Sequence, residues 1–219
     1  MRQVDPIGER DVLLLVDPQS DFCPGGALAV PQGDTVVRLI NDLARRFRHV
    51  VLTQDWHPRD HQSFASMHPG LRPFQTVALS YGLQVLWPDH CVQDTKGAEF
   101  HPDLHVPHAA LVLRKGFRPA IDSYSAFYEN DRATPTGLGG YLRERGFERV
   151  FLAGLALDFC VRHSAEDARK LGFAATVIED ACRAIDIDIL RGRATDAIPE
   201  LLQQRRAPAA TSAEEHWHS

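Results

Sequence analysis

The run VLLLV, residues 12–16, is five apolar residues in succession, closed by Asp17. A strand with one wet face alternates apolar and polar residues. A short unbroken run instead suits a strand buried on both faces, as in a parallel sheet covered by helices. Four further runs resemble it: HVVLTQ (49–54), AALVLR (109–114), RVFLAG (149–154) and AATVIED (174–180). Helical spacing falls between them. Val36, Val37, Leu39, Ile40, Leu43 and Phe47 follow Asp34, a suitable N-cap. YLRERG (141–146) and the residues before it predict a short helix. Cys160, Val161, Ser164, Ala165, Ala168 and Leu171 share one helical face, with Gly172 as its stop. Ile198, Leu201 and Leu202 predict a last helix. Strands alternating with helices predict an α/β fold, a parallel sheet with helices on both faces.

With 219 residues the chain suits one domain, set here at residues 1–206, followed by a polar tail over 207–219 without a core pattern. A neighbouring subunit of a homo-oligomer is one way to order that tail. The formal charge of −5 disfavours a nucleic-acid or anionic-membrane partner. No apolar run reaches the roughly 18 residues of a membrane span, and the first residues contain no apolar signal core. Cys23, Cys91, Cys160 and Cys182 are scattered without a CxxC pair, which fits a reducing, cytoplasmic setting. Residues 55–106 are polar, rich in Pro and His and hardly periodic; a loop of that length in a compact domain is usually functional.

Asp17, Asp55, Lys115 and Cys160 each fall at or a few residues past the carboxyl end of a predicted strand. In open α/β sheets ligands bind along that edge. Cys160 reads as the first turn of a helix, where unpaired amides, with Lys115 nearby, would favour a thiolate nucleophile. The plainer alternative is a buried structural cysteine, the reading retained for Cys23, Cys91 and Cys182. In DWHPRDH (55–61), Asp55 and His57 lie two apart and can face one side of an extended segment. With a histidine from WPDHC (87–91) they would suit Zn²⁺, Fe²⁺ or Mn²⁺. With eleven histidines in the chain, a solvated chance pair is the competing account.

Several longer segments carry a family resemblance: VDPQSDFCPGGALAV (16–30), TQDWHPRDHQSFAS (53–66), WPDHCVQDTKGAEFHP (87–102), RKGFRPAIDSYSAF (114–127), GLALDFCVRHSAEDA (154–168) and EDACRAID (179–186). Together they resemble the nicotinamidase (pyrazinamidase) branch of the isochorismatase-like cysteine hydrolase superfamily. The resemblance implies a three-layer α/β/α sandwich around a central parallel sheet. It also implies an Asp17–Lys115–Cys160 triad and one divalent metal on Asp55, His57 and His90. His61 matches the position at which some members add a fourth imidazole. Zn²⁺ is the first expectation for the ion, with Fe²⁺ and Mn²⁺ as alternatives. A cis peptide is expected between Leu155 and Ala156. Leu157 departs from the pattern, since many members carry Thr there.

The implied reaction is hydrolysis of nicotinamide, and of pyrazinamide, to the acid and ammonia, in NAD salvage. Asp17 would take the Cys160 proton and return it to the leaving amine, through a thioester. The amides of Ala156 and Cys160 would hold the oxyanion. Phe22, Trp87 and Tyr124 match positions where rings flank the substrate, and the metal would orient the pyridine nitrogen. Two rivals are a sister hydrolase acting on a carbamoyl or ureido substrate or on isochorismate, and a non-catalytic metal-binding module.

Overall fold

The computed structural model describes residues 6–186. Five parallel strands form the main sheet: β1 (Asp11–Val16), β2 (Val50–Asp55), β5 (Leu111–Lys115), β6 (Arg149–Leu155) and β7 (Ala174–Arg183), in the order β5-β2-β1-β6-β7. Helices α1 (Thr35–Ala44), α2 (Leu138–Glu144) and α3 (Arg162–Lys170) flank it, giving the expected α/β/α sandwich. Every residue of β1 and β2 is buried, whereas edge strand β5 alternates between buried or half-buried and exposed positions. The unbroken apolar runs thus mark the sheet interior. The chain leaves β1 for β2 on one side and later returns to β6 on the other. That reversal opens a crevice past the carboxyl ends of β1 and β6.

Several details depart from the sequence reading. Strand β2 begins at Val50 and ends on Asp55, and β5 covers Leu111–Lys115, so both charged residues are the last of their strands. The region 55–106 contains an antiparallel hairpin, β3 (Thr76–Leu79) with β4 (Gly82–Val85), besides two short 3₁₀ turns. Asp34 makes no side-chain cap and already has helical backbone angles. Cys160 lies not in the first turn of an α-helix but in a π-helical turn, Leu157–Val161, that leads into α3. Gly172 does follow the end of α3, with φ +92°. The predicted last helix and the polar tail lie outside the described residues. Among the described residues no helix is long and apolar enough to cross a membrane.

Two glycines are required where they stand. Gly154, at φ +125°, lies against β1, and a Cβ there would fall 2.1 Å from Val16 O. Gly116, at φ +65° after β5, leaves room for a histidine: an added Cβ would lie 2.4 Å from His57 Cε1.

Candidate active site

Four strand ends meet at the crevice. Asp17 follows β1, Asp55 ends β2, Lys115 ends β5 and Cys160 follows β6. Lys115 is 1% exposed, and its Nζ is the hub. It donates to Asp55 Oδ1 (2.5 Å), Ser123 O (3.0 Å) and Cys160 Sγ (3.4 Å). Asp17 Oδ2 faces the same nitrogen at 2.8 Å as an ion pair, yet receives no directed hydrogen bond. Oδ1 of Asp17 accepts from Thr53 Oγ1 at 2.6 Å. Oxygens of Asp17 and Asp55 and the Cys160 sulfur lie within 4.8 Å of one another.

Burial raises the Asp17 carboxyl; Lys115 opposes this and Asp55 adds to it, leaving Asp17 at about 6. Burial and the two carboxylates also push the Cys160 thiol well above its ordinary range, against the pull of Lys115. Burial and the carboxylates thus work against the thiolate that a helix start and Lys115 would favour. Beside the sulfur stands a carboxylate able to take its proton near neutral pH.

The second cluster grows from Asp55. Burial raises its carboxyl, but Lys115 and His57 more than reverse that and hold it well below the usual range. Its Oδ2 lies 3.6 Å from His57 Nε2 and 3.9 Å from His90 Nε2, all three residues buried. Backbone pairing explains how His90 arrives. His57 N donates to Cys91 O and Gln93 N to His57 O, so the two loop segments run side by side. Asp21 reinforces this by accepting Cys91 N at 2.7 Å.

His57 Nδ1 lies 2.8 Å from Gly116 O, and His90 Nδ1 2.8 Å from Pro88 O. Carbonyl oxygens only accept, so both Nδ1 atoms carry hydrogens; Asp55 pushes His57 above its ordinary value despite burial, and the proton this favours on His57 Nε2 is the one a metal would displace. Burial and neighbouring His57 lower His90 to about 4, so its ring is neutral. Its Nε2 and the Asp55 oxygen are then two buried acceptors facing each other without a hydrogen between them. A cation relieves that arrangement, so the residues fit a divalent metal.

His61 is placed differently. Its Nδ1 receives Ser63 N (3.2 Å) and its Nε2 lies 3.3 Å from Ile121 O. Its ring lies tilted against that of His57, centroids 4.4 Å apart, and it groups with His57 and Asp122, not with Asp55 and His90.

A cavity joins the two clusters. Its wall includes Cys160, Asp55, His57, His90 and the rings of Phe22, Trp87 and Tyr124. Asp17 and Lys115 lie behind it, 0% and 1% exposed, while Cys160, at 7%, reaches it. Phe22 packs on His90 at 5.6 Å, and Trp87 meets Tyr124 edge-on at 6.1 Å. The Leu155–Ala156 peptide is cis, as expected, and Ala156 lines the cavity at the entry to the Cys160 turn.

An isochorismatase domain matches residues 11–213. The nicotinamidase of Acinetobacter baylyi is 56% identical over 80% of this chain and 82% of its own. The chain belongs to the isochorismatase family, on its nicotinamidase branch. A solved Acinetobacter baumanii nicotinamidase/pyrazinamidase superposes with TM-score 0.81 at 57% identity, covering 82% of this chain and 86% of that one. PnC1 from L. infantum, solved in complex with nicotinate, gives TM-score 0.74 at 40% identity over 87% and 90%. A Pyrococcus horikoshii pyrazinamidase in complex with zinc gives 0.66 at 34% identity over 84% and 96%.

Against this family background, sequence reasoning missed several residues of the site. Gln19 clamps Asp55 from both sides, accepting Asp55 N at 2.7 Å and donating to Asp55 O at 2.8 Å. Phe159, between the charged and nucleophilic residues of the motif, packs edge-on against Trp87 at 4.9 Å and lines the cavity. Asp158 accepts Ile185 N and Asp186 N, both at 2.9 Å, and so brings Ile185 to the cavity wall. Gln19 and Asp158 lay inside quoted motifs, but a polar residue whose partner is a distant backbone leaves no periodic trace.

Proposed function

We propose that the protein is a nicotinamidase that hydrolyses nicotinamide to nicotinate and ammonia, with Asp17, Lys115 and Cys160 as its reacting cluster. The observation that carries this is the buried Lys115 ammonium touching Asp17, Asp55 and Cys160, with Cys160 and Asp55 lining the cavity and Asp17 and Lys115 behind them. A primary carboxamide is a weak electrophile, and ammonia leaves only when the nitrogen is protonated. The Asp17 carboxylate takes the thiol proton as Cys160 Sγ bonds to the carbonyl carbon. The tetrahedral oxyanion is assigned to the amides of Ala156 and Cys160. Asp17 then returns the proton to the nitrogen, the C–N bond breaks, and a thioester remains. Water, deprotonated by the same carboxylate, attacks the thioester, and the proton returns to sulfur as nicotinate leaves. Lys115 stabilises negative charge in the cluster throughout.

Asp55, His57 and His90 are proposed to hold one divalent ion, Zn²⁺ first and Fe²⁺ or Mn²⁺ as alternatives; the solved zinc complex of a relative supports this. When bound, such an ion supplies positive charge and open ligand positions that orient a pyridine ring and draw electron density from its carboxamide. His61 is not proposed as a ligand, because Ser63 and Ile121 occupy its two nitrogens. Phe22, Trp87 and Tyr124 offer flat faces and edges to a flat heterocycle.

Ammonia release from nicotinamide, assayed before and after chelation, tests this reading. Turnover should be high for nicotinamide and pyrazinamide, fall on chelation and return with Zn²⁺, Fe²⁺ or Mn²⁺. His57→Ala and His90→Ala should lower bound metal and activity together. Unchanged metal content in those variants would overturn the ligand assignment; preference for a carbamoyl substrate would favour the sister-hydrolase reading.

A further inference from the structure

Ile185, 3% exposed, lines the cavity beside Ala156 and Cys160 but has no part in the mechanism above. It lies just past β7, whose pairing with β6 ends at Leu155 opposite Arg183. Beyond that point Asp158 holds the chain. Its Oδ1 accepts Ile185 N and its Oδ2 accepts Asp186 N, both at 2.9 Å. A carboxylate can take one amide on each oxygen, and such charge-assisted bonds are stronger than neutral ones. Asp186 has φ +51°, a left-handed angle uncommon outside glycine, so the chain turns where the carboxylate grips it. Asp158 itself belongs to the π-helical turn Leu157–Val161 that carries Cys160. One side chain thus ties this part of the wall to the nucleophile's own turn.

The order of strands decides which end of a bound molecule meets Ile185. Asp55 ends β2 and His57 follows it, two strands to one side of β6; Ile185 follows β7, one strand to the other side. Adjacent strands lie about 4.8 Å apart. Under the nicotinamidase reading, on which this inference rests, the ring nitrogen faces Asp55, His57 and His90, and the carbonyl carbon meets Cys160 Sγ. Ile185 is then on the carboxamide side, away from the ring nitrogen. Its side chain has no polar atom, so it acts there by shape.

We infer that Ile185 is a specificity-determining residue that leaves room for an unsubstituted carboxamide but not for an N-alkyl one, and that Asp158 is the positioning residue that holds it there. A wall held through its backbone yields less readily than one on a free loop. Discrimination of a single methyl group by an apolar wall is worth about 10–200-fold.

The test compares kcat/KM for nicotinamide, N-methylnicotinamide and a nicotinamide methylated on the ring carbon meta to the carboxamide, in wild type, Ile185→Ala and Asp158→Asn. Wild type should favour nicotinamide over the N-methyl compound by about a hundredfold or more, and Ile185→Ala should narrow that ratio at least about tenfold. The ratio for the ring-methyl compound should stay within about threefold of wild type. Asp158→Asn turns one acceptor into a donor facing an amide hydrogen and should narrow the same N-methyl ratio. A merely structural loss would lower all three substrates together and leave the ratios in place. An unchanged N-methyl ratio in Ile185→Ala would overturn the inference, as would a gain confined to the ring-methyl compound. An unchanged ratio in folded Asp158→Asn would overturn its positioning role. Should Asp158→Asn fail to fold, amide hydrogen exchange in wild type decides that role: the Ile185 and Asp186 amides should be protected, and exchange at the rate of a free loop would overturn it. Wild type inactive on nicotinamide removes the functional reading and this inference with it. An active wild type whose ratios Ile185→Ala leaves unchanged removes the inference alone.

Discussion

Asp17 is the residue at which geometry and protonation can be tested together. Its carboxyl titrates near 6, and the proposed mechanism uses its ionised form to accept the Cys160 proton. The sign follows directly: as pH falls from 7 to 5 the base is progressively protonated, so kcat/KM should fall about tenfold along an acid limb centred near pH 6. Asp17→Asn should be inactive and show no such limb. A flat profile between pH 5 and 7 would exclude Asp17 as the base. Gly116 offers a second test at this scale. A methyl at its left-handed position would strike the His57 ring. Gly116→Ala should therefore lower metal content, read by elemental analysis, while touching no ligand itself.

At the scale of elements, the sheet's central pairing positions Asp17 and Cys160, and two devices hold it. Asp11 and Arg149 are directly opposed at the starts of β1 and β6 and share a two-pronged ion pair, Nε–Oδ1 and Nη2–Oδ2, both 2.5 Å. Burial works to raise the Asp11 carboxyl, but the Arg149 bonds, the Gly8 amide and nearby arginine charge bring it below its usual value. A depressed folded pKa means stability present above the unfolded value and lost as pH falls through the folded one. Asp11→Asn should therefore cost about 1.5–3 kcal/mol in denaturant unfolding at pH 7, with the cost shrinking below about pH 4. Gly154→Ala, at φ +125° against Val16 O, should cost about 2 kcal/mol or more by the same measurement.

The sheet was legible in the sequence because buried strands leave unbroken apolar runs, and helices α1 and α3 because their faces repeat at helical spacing. Hairpin β3–β4 was not. Its strands, TVAL and GLQV, are four residues each and partly exposed, and Gln84 is a polar side chain buried in part by Asp122 and Tyr124, which are distant in sequence. The turn that carries Cys160 was legible as the entry to a helix, but its π-helical form and the carboxylates around the thiol were not. Position at a helix start suggested a thiolate, whereas Asp17 and Asp55, brought in from β1 and β2, oppose one.

On the scale of the whole molecule, the fold gathers four strand ends, and Asp55 links what would otherwise be separate sites. One of its oxygens serves Lys115, beside the thiol; the other faces His57 and His90. Loss of Asp55 should thus remove both metal binding and order in the reacting cluster, so Asp55→Ala should be more damaging to kcat than either histidine variant. The broader account depends on Cys160 being the atom that attacks. Ammonia release from nicotinamide, measured for wild type and Cys160→Ala at matched metal content and with folding checked by circular dichroism, tests this most directly. The prediction is a fall of at least about a thousandfold in a folded, metal-loaded variant. Turnover by Cys160→Ala at the wild-type rate would contradict the account.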